Sequence, residues 1–306
     1  MNKITIAFID GRFSSELSDL SLLPKEVVFR ADDFFLRVPK NCEIPSPIYL
    51  SFLNTKNTLR KIIELDENSR VSLIEKYHSD TAEESEINSA TEILAAKNAR
   101  IDYYKIQNEN SATSHRSEFR VQQKQESRVT VFFIGKGARD HSENTQISLA
   151  ERGAVCELNG LYLLDRNNQS ATHHVHVDHA AAHTESSMVY KGILDKKSCA
   201  EFIGRVHVQK NAQQINAQQA NHHLLLSKDA EVKSKPELEI DADDVKCTHG
   251  STVGQLDSEA LFYLRSRGID KNSAEKLLTQ AFAAEIIDKI EHASIRETIR
   301  QEVGQL

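Results

Sequence analysis

Cys247 and His249 stand one residue apart at the end of an alternating stretch, Leu238, Ile240 and Ala242. If that strand continues, both side chains leave the same face. Thiolate and imidazole are both good iron ligands. Two ligands are too few to hold a cluster, so a site built here needs more, most simply from a second chain.

A second group is His173, His174, His176, His179 and His183, five of the thirteen histidines within eleven residues. His174 and His176 share a strand face if the segment is extended, which suggests a metal-binding module. The cupin spacing is missing, because Asp178 follows too closely and Glu185 too late. The competing reading makes these histidines half-buried strand residues. Asp241, Asp243 and Asp244 raise carbohydrate hydrolysis on a β-helix as a further alternative, but such carboxylates must face each other across a cleft. A solvated acidic turn fits them better. Gly135-x-Gly137 lacks the remaining glycine and the helix start of a phosphate cradle, and G-x-S-x-G, a Walker lysine and H-E-x-x-H do not occur.

Lys plus Arg number 38 against 45 Asp plus Glu, a net charge of -7 without a basic cluster, so nucleic acid and anionic membrane are not expected partners. No apolar run approaches the roughly 20 residues of a membrane span, and Asp10 falls where a signal peptide would be apolar. The expected location is cytoplasmic. Cys42, Cys156, Cys199 and Cys247 form no C-x-x-C pair and are expected as free thiols.

The elements that must position these residues read as strands until the last fifty residues. Short apolar or alternating runs recur at Arg70 to Tyr77, Ala99 to Gln107, Arg128 to Lys136, Ala154 to Leu164, Glu201 to Gln209, Leu224 to Ser227 and Glu237 to Val245. In the first seventy residues, prolines break the chain into pieces, of which Ile4 to Phe8 and Ile48 to Leu53 read as strands. Glu83 to Ala96 is open to a helix or a strand. A sandwich, barrel or solenoid accommodates the pattern, and the unequal spacing favours a solenoid. The polar run Gln209 to Asn221 is a candidate for stacked side-chain ladders, or for a plain loop. After Asp257 the period becomes helical: Asp257 caps a helix through Arg267 that Gly268 stops, and Asn272 with Glu275 opens a second. Its stripe of Ala274, Leu277, Leu278, Ala281, Phe282, Ile286 and Ile290 is expected to cap the end of the solenoid, or in part to dock a partner.

Residues 236 to 268, through Cys247-Thr-His249-Gly250 to Arg265-Ser-Arg267-Gly268, resemble the C-terminal signature of the SufD proteins of iron-sulfur cluster assembly. Val121 to Lys136, the Leu158-Asn-Gly-Leu-Tyr-Leu163 segment, Lys191-Gly192 and Ala212 to Leu226 are similar to other parts of that family. The resemblance implies a right-handed parallel β-helix over residues 1–256, with an irregular start over 1–70, and a C-terminal helical domain over 257–306. It implies a non-enzymatic partner that pairs with a SufB-like protein through the β-helix and binds a SufC-like ATPase through the helices. The residues implied for the latter are Leu261, Tyr263, Leu264, Arg265, Arg267 and Phe282. His249 matches the family histidine proposed as an iron or cluster ligand at the SufB interface, and Cys247 the adjacent interface cysteine. The resemblance implies a transient iron-sulfur cluster or iron at that interface and none held tightly by the isolated chain, and exposed β-helix edges make a homodimer the candidate state of the chain alone. SufB resembles Cys-Glu-His-Glu here, so Gly250 favours the SufD branch. Many members carry a helical segment before the match at Phe8 to Phe13, and its interactions are not expected of residues 1–7.

Overall fold

The computed structural model describes residues 3–32, 34–56 and 58–303. The extremes of the two expected units, 1–2 and 304–306, lie outside the described residues. The chain is a β-solenoid of about seven turns with three helices at its C-terminal end. One sheet contains β1 (Ile4–Ile9), β2 (Arg12–Asp19), β5 (Ile48–Leu53), β7 (Arg70–His78), β9 (Arg100–Asn108), β11 (Arg128–Gly135), β13 (Val155–Leu164), β15 (Glu185–Leu194), β17 (Ile215–Leu225) and β19 (Val245–Gly254). The other contains β3 (Val28–Arg30), β4 (Phe35–Val38), β6 (Thr58–Leu65), β8 (Ser85–Ala95), β10 (Thr113–Gln123), β12 (Asp140–Leu149), β14 (Ser170–His179), β16 (Cys199–Val208) and β18 (Glu231–Ile240). From β4 onward each strand pairs in parallel with the strand two places on, so successive strands alternate between the sheets.

Strict alternation decides which side chains face the interior. In β8 it sends Ile87, Ser89, Thr91, Ile93 and Ala95 inward, so the segment Glu83 to Ala96 is a strand and not a helix. Side-chain ladders form, but away from the polar run at 209 to 221. Asn41, Asn68 and Asn98 occupy turns at φ 59, 57 and 58°, where asparagine is better tolerated than most residues. Asn68 Nδ2 donates to Asn41 Oδ1 at 2.8 Å and Asn98 Nδ2 to Asn68 Oδ1 at 2.9 Å. The run at 209 to 221 divides instead into a turn and the first half of β17.

Glycine and tyrosine exchange places across β13 and β15. Gly160 is paired with Tyr190 and Tyr162 with Gly192, so each ring lies over the glycine opposite. A Cβ on Gly160 would stand 2.2 Å from the Tyr190 ring. Gly160→Ala should therefore lower stability by about 2 to 3 kcal/mol, the usual cost of overpacking a filled interior. A urea midpoint matching the parent's would show that the ring moves aside freely.

The helices are α1 (Ser258–Ser266), α2 (Lys271–Ile287) and α3 (Ala293–Val303). Asp257 caps α1 by accepting from the backbone N–H of Glu259 and Ala260, and Gly268, at φ 88°, follows its end as expected. The second cap falls two residues before Asn272, at Asp270, whose carboxylate accepts from Ser273 N at 3.0 Å.

The helices do not close the end of the solenoid. They lie against the outer face of the first sheet, where Ile286, Ile287, Ile290, Ile295 and Ile299 cover Ile74, Tyr104, Phe132, Leu161 and Ile193. Those strands are apolar on both faces, and the outward set needs cover as much as the inward one. The buried stripe is accordingly rotated from the expected one: Ala283 and Ile287 are buried, whereas Leu277 and Ala281 are exposed. Lys191, itself almost fully buried, ties α2 down by donating to the Phe282 carbonyl at 2.9 Å and pairing with Glu285.

Candidate functional site: the open turn and the interior behind it

The strand carrying Leu238 and Ile240 ends there. An exposed acidic turn, Asp241, Asp243 and Asp244, intervenes, and Cys247 and His249 stand on β19 in the opposite sheet. They still share a face. Cys247 is in register with Ala217 and His249 with Gln219, both inward residues of β17, so both point to the interior side of the last turn. Two residues of strand separate them by about 6.6 Å along the chain. Nothing among the described residues pairs with the far edges of β18 and β19, so the interior opens to solvent here. Cys247 is half-buried against the core and His249 is exposed. Burial pushes the Cys247 thiol above its usual range, opposed in part by a hydrogen bond from the Ala217 backbone. A cation brought against the sulfur acts in the opposite sense and favours thiolate. A Cβ on Gly250 meets nothing within 4 Å, so packing does not impose the glycine.

The five-histidine segment is divided by the pleat. His173 and His179 point inward, while His174 and His176 share the outer face. His174 Nε2 lies 3.0 Å from Glu201, and the His176 ring is 6.5 Å from that of His207. No group of three or more His, Cys, Asp or Glu side chains arranged to hold a metal ion occurs among the described residues.

Of the helix residues, Tyr263, Arg265 and Arg267 are exposed, and Leu261 and Leu264 are half-buried. Phe282 instead belongs to the contact with the solenoid, its ring 4.4 Å from the Lys191 ammonium. Sequence reasoning missed Phe262, at 74% the most exposed large apolar residue among the described residues, while Leu277 of the expected stripe is 46% exposed. An apolar residue off the buried stripe was the available signal.

Behind the open turn the interior is polar along one side. Lys61 pairs with Glu75 at 3.1 Å, Lys105 with Glu143 at 2.6 Å, and His115 Nδ1 lies 2.6 Å from Glu109, all six side chains buried. Burial raises the Glu143 pKa, but the positive Lys105 and the neighbouring His141 outweigh it and bring it down to about 2. Nearer the opening, Glu143 Oε1, His141 Nε2, both ring nitrogens of His173, Tyr190 Oη and Asn221 Oδ1 are buried with no hydrogen-bond partner in the protein. A buried polar group with no partner of any kind costs about 1–3 kcal/mol, so this run of polar atoms calls for partners beyond the protein's own.

A family model described as SUF system FeS cluster assembly, SufBD core domain, matches residues 52–282. An iron-sulfur cluster assembly SufBD family protein of Synechocystis sp. is 33% identical over 285 residues, covering 88% of this chain and 62% of that protein. The iron-sulfur cluster assembly protein SufD of Escherichia coli is 30% identical over 248 residues, 80% of this chain and 58% of that protein. The SufD of Bacillus subtilis is 25% identical over 286 residues, 87% of this chain and 62% of that protein. The chain thus spans about three fifths of the length of these relatives. No helix among the described residues is long and apolar enough to cross a membrane. With the core-domain match running from β5 to α2, the chain belongs to the SufBD family of the SUF system.

Proposed function

We propose that this chain is a SufD-type scaffold subunit of iron-sulfur cluster assembly, without turnover of its own. The observation that carries the reading is the position of Cys247 and His249: two iron-competent ligands on the interior face of an unpaired terminal turn, an incomplete set that a second solenoid would complete. A SufB-like protein is the proposed occupant of the β18 and β19 edges. A second copy of this chain takes its place when the chain is alone, because exposed strand edges pair readily. The cluster or iron is cargo held transiently at that interface, with no tight site in the isolated chain. Residues 257–306 act as the unit that binds a SufC-like ATPase, through Leu261, Tyr263, Leu264, Arg265 and Arg267, with the exposed ring of Phe262 added. Phe282 serves that surface indirectly, by fixing α2 to the solenoid. The proposed location is cytoplasmic.

The test is co-expression with SufB-like and SufC-like proteins, anaerobic purification, and assay of iron and sulfide in wild type and His249→Ala. Equal complex yield with iron and sulfide reduced tenfold or more in the variant is the expected outcome. Unchanged cluster content would leave His249 a structural residue, and a wild-type chain that fails to co-purify would overturn the scaffold reading.

A further inference from the structure

Unpartnered buried atoms occur at several places among the described residues, and those of Glu143, His141, His173, Tyr190 and Asn221 form one series between two hydrogen-bonded ends. At the open turn the exposed Ser251 hydroxyl lies 2.8 Å from that of Ser234, and Asn221 Nδ2 donates to Ser234 Oγ at 2.7 Å. At the inner end, Lys105 donates to Glu143, and Glu143 lies 3.8 Å from His141 Nε2. Between them stand Tyr190, in register with Asn221, and His173, whose ring centroid is 5.6 Å from that of Tyr190 and 5.1 Å from that of His141. These are contact separations between packed rings, and at its edge each ring carries a buried donor or acceptor that the protein leaves unpaired. Small polar molecules that both donate and accept are what such a series binds, and water is the smallest of them.

We propose that the solenoid interior holds a file of water molecules, entered from the open turn past Ser251, Ser234 and Asn221, that joins solvent to His173 and the buried Lys105–Glu143 pair and carries protons along it. Tyr190 and His173 are its relay points. A proton received at one nitrogen of the neutral His173 ring is matched by one released from the other, so the imidazole returns to neutrality as its tautomer changes. The file opens beside the strand that presents Cys247 and His249, and it stands independently of the scaffold reading.

The test uses the isolated full chain, labelled with ¹⁵N-histidine, and water-selective NMR exchange at the His173 ring, with a crystal structure fine enough to show ordered solvent. Exchange between bulk water and the His173 N–H, together with solvent bridging His173, Tyr190 and Asn221, is expected. Asn221→Leu, close in size but unable to hydrogen bond, should slow that exchange tenfold or more. Ser251→Val, at an exposed position, is the second variant should Asn221→Leu not fold, with the same slowing expected. A dry interior overturns the proposal, and so does exchange in the folded variant as fast as in wild type, which would mean that water does not enter here. Because no partner is present, either failure leaves the assembly reading untouched, and loss of complex formation leaves the file untouched.

Discussion

Lys105→Met is expected to destabilise the chain by about 3–5 kcal/mol, the usual cost of breaking a buried ion pair from one side. The Lys105 ammonium and Glu143 carboxylate are 5% and 1% exposed, so loss of the cation leaves an anion inside the solenoid without its counter-charge. Hydrogen bonding does not compensate: Lys105 also donates to Ser117, and that bond disappears with it. The double change Lys105→Met with Glu143→Leu removes both charges and should recover most of the loss, since apolar replacement of a whole buried pair is often neutral. Urea unfolding of the parent, the two single variants and the double variant measures the coupling directly. A Lys105→Met cost under about 1 kcal/mol would put the pair in the class of exposed ion pairs and contradict its burial.

These buried charges also explain which parts of the fold were hidden in the sequence. β7, β9, β11 and β13 carry apolar residues facing inward, and sequence reading found them. β10 and β12 turn His115, Ser117, His141 and Glu143 inward, so an interior face that is normally apolar reads as surface. The segment Phe132-Phe133-Ile134 did carry a further signal. A strand apolar at successive positions is covered on both sides, and the cover is the helical region, whose docking on the flank followed from that pattern rather than from the amphipathic stripe of α2 alone.

At the candidate site, the spacing of Cys247 and His249 was enough to place them on one face, but not to say which sheet the face belongs to. The turn at Asp241 to Asp244 decides that, and Ala242 continues the apolar alternation through it, hiding the break. The parity of the histidine segment, by contrast, was legible: Ala171, Val175 and Val177 alternate with His174 and His176, so the apolar face, which includes His173 and His179, is the one turned inward.

Between pH 7 and pH 5 the chain should lose on the order of 4 kcal/mol or more of stability, most of what a marginal domain possesses. Burial lowers His179 and His223 to about 4, and it lowers His115 and His173 as well, the last with help from the charge of His141. The unfolded chain protonates these residues near the usual value of about 6.5, while the folded chain resists until each depressed value is reached. Their contribution is therefore complete above about pH 6.5 and is lost as pH falls toward the folded values, at about 1.4 kcal/mol per pH unit for each withheld proton. From 6.5 to 5 that is about 2 kcal/mol for each of His179 and His223, with His115 and His173 acting in the same direction. Glu143 does not enter this window, because a carboxylate held down to about 2 loses its contribution only below its unfolded range near 4.5. His207 opposes the trend: despite burial, hydrogen bonds from its ring to Asp178 and Asp241 raise its pKa, so its contribution is present in acid and lost as pH rises through the folded value. It is a partly exposed surface group, and one such pair is worth under about 1 kcal/mol. Urea midpoints at pH 7, 6 and 5 should fall steeply, and His223→Gln, which removes one depressed imidazole, should flatten the slope. Midpoints that stay level across this range would mean that the buried imidazoles exchange protons as freely folded as unfolded.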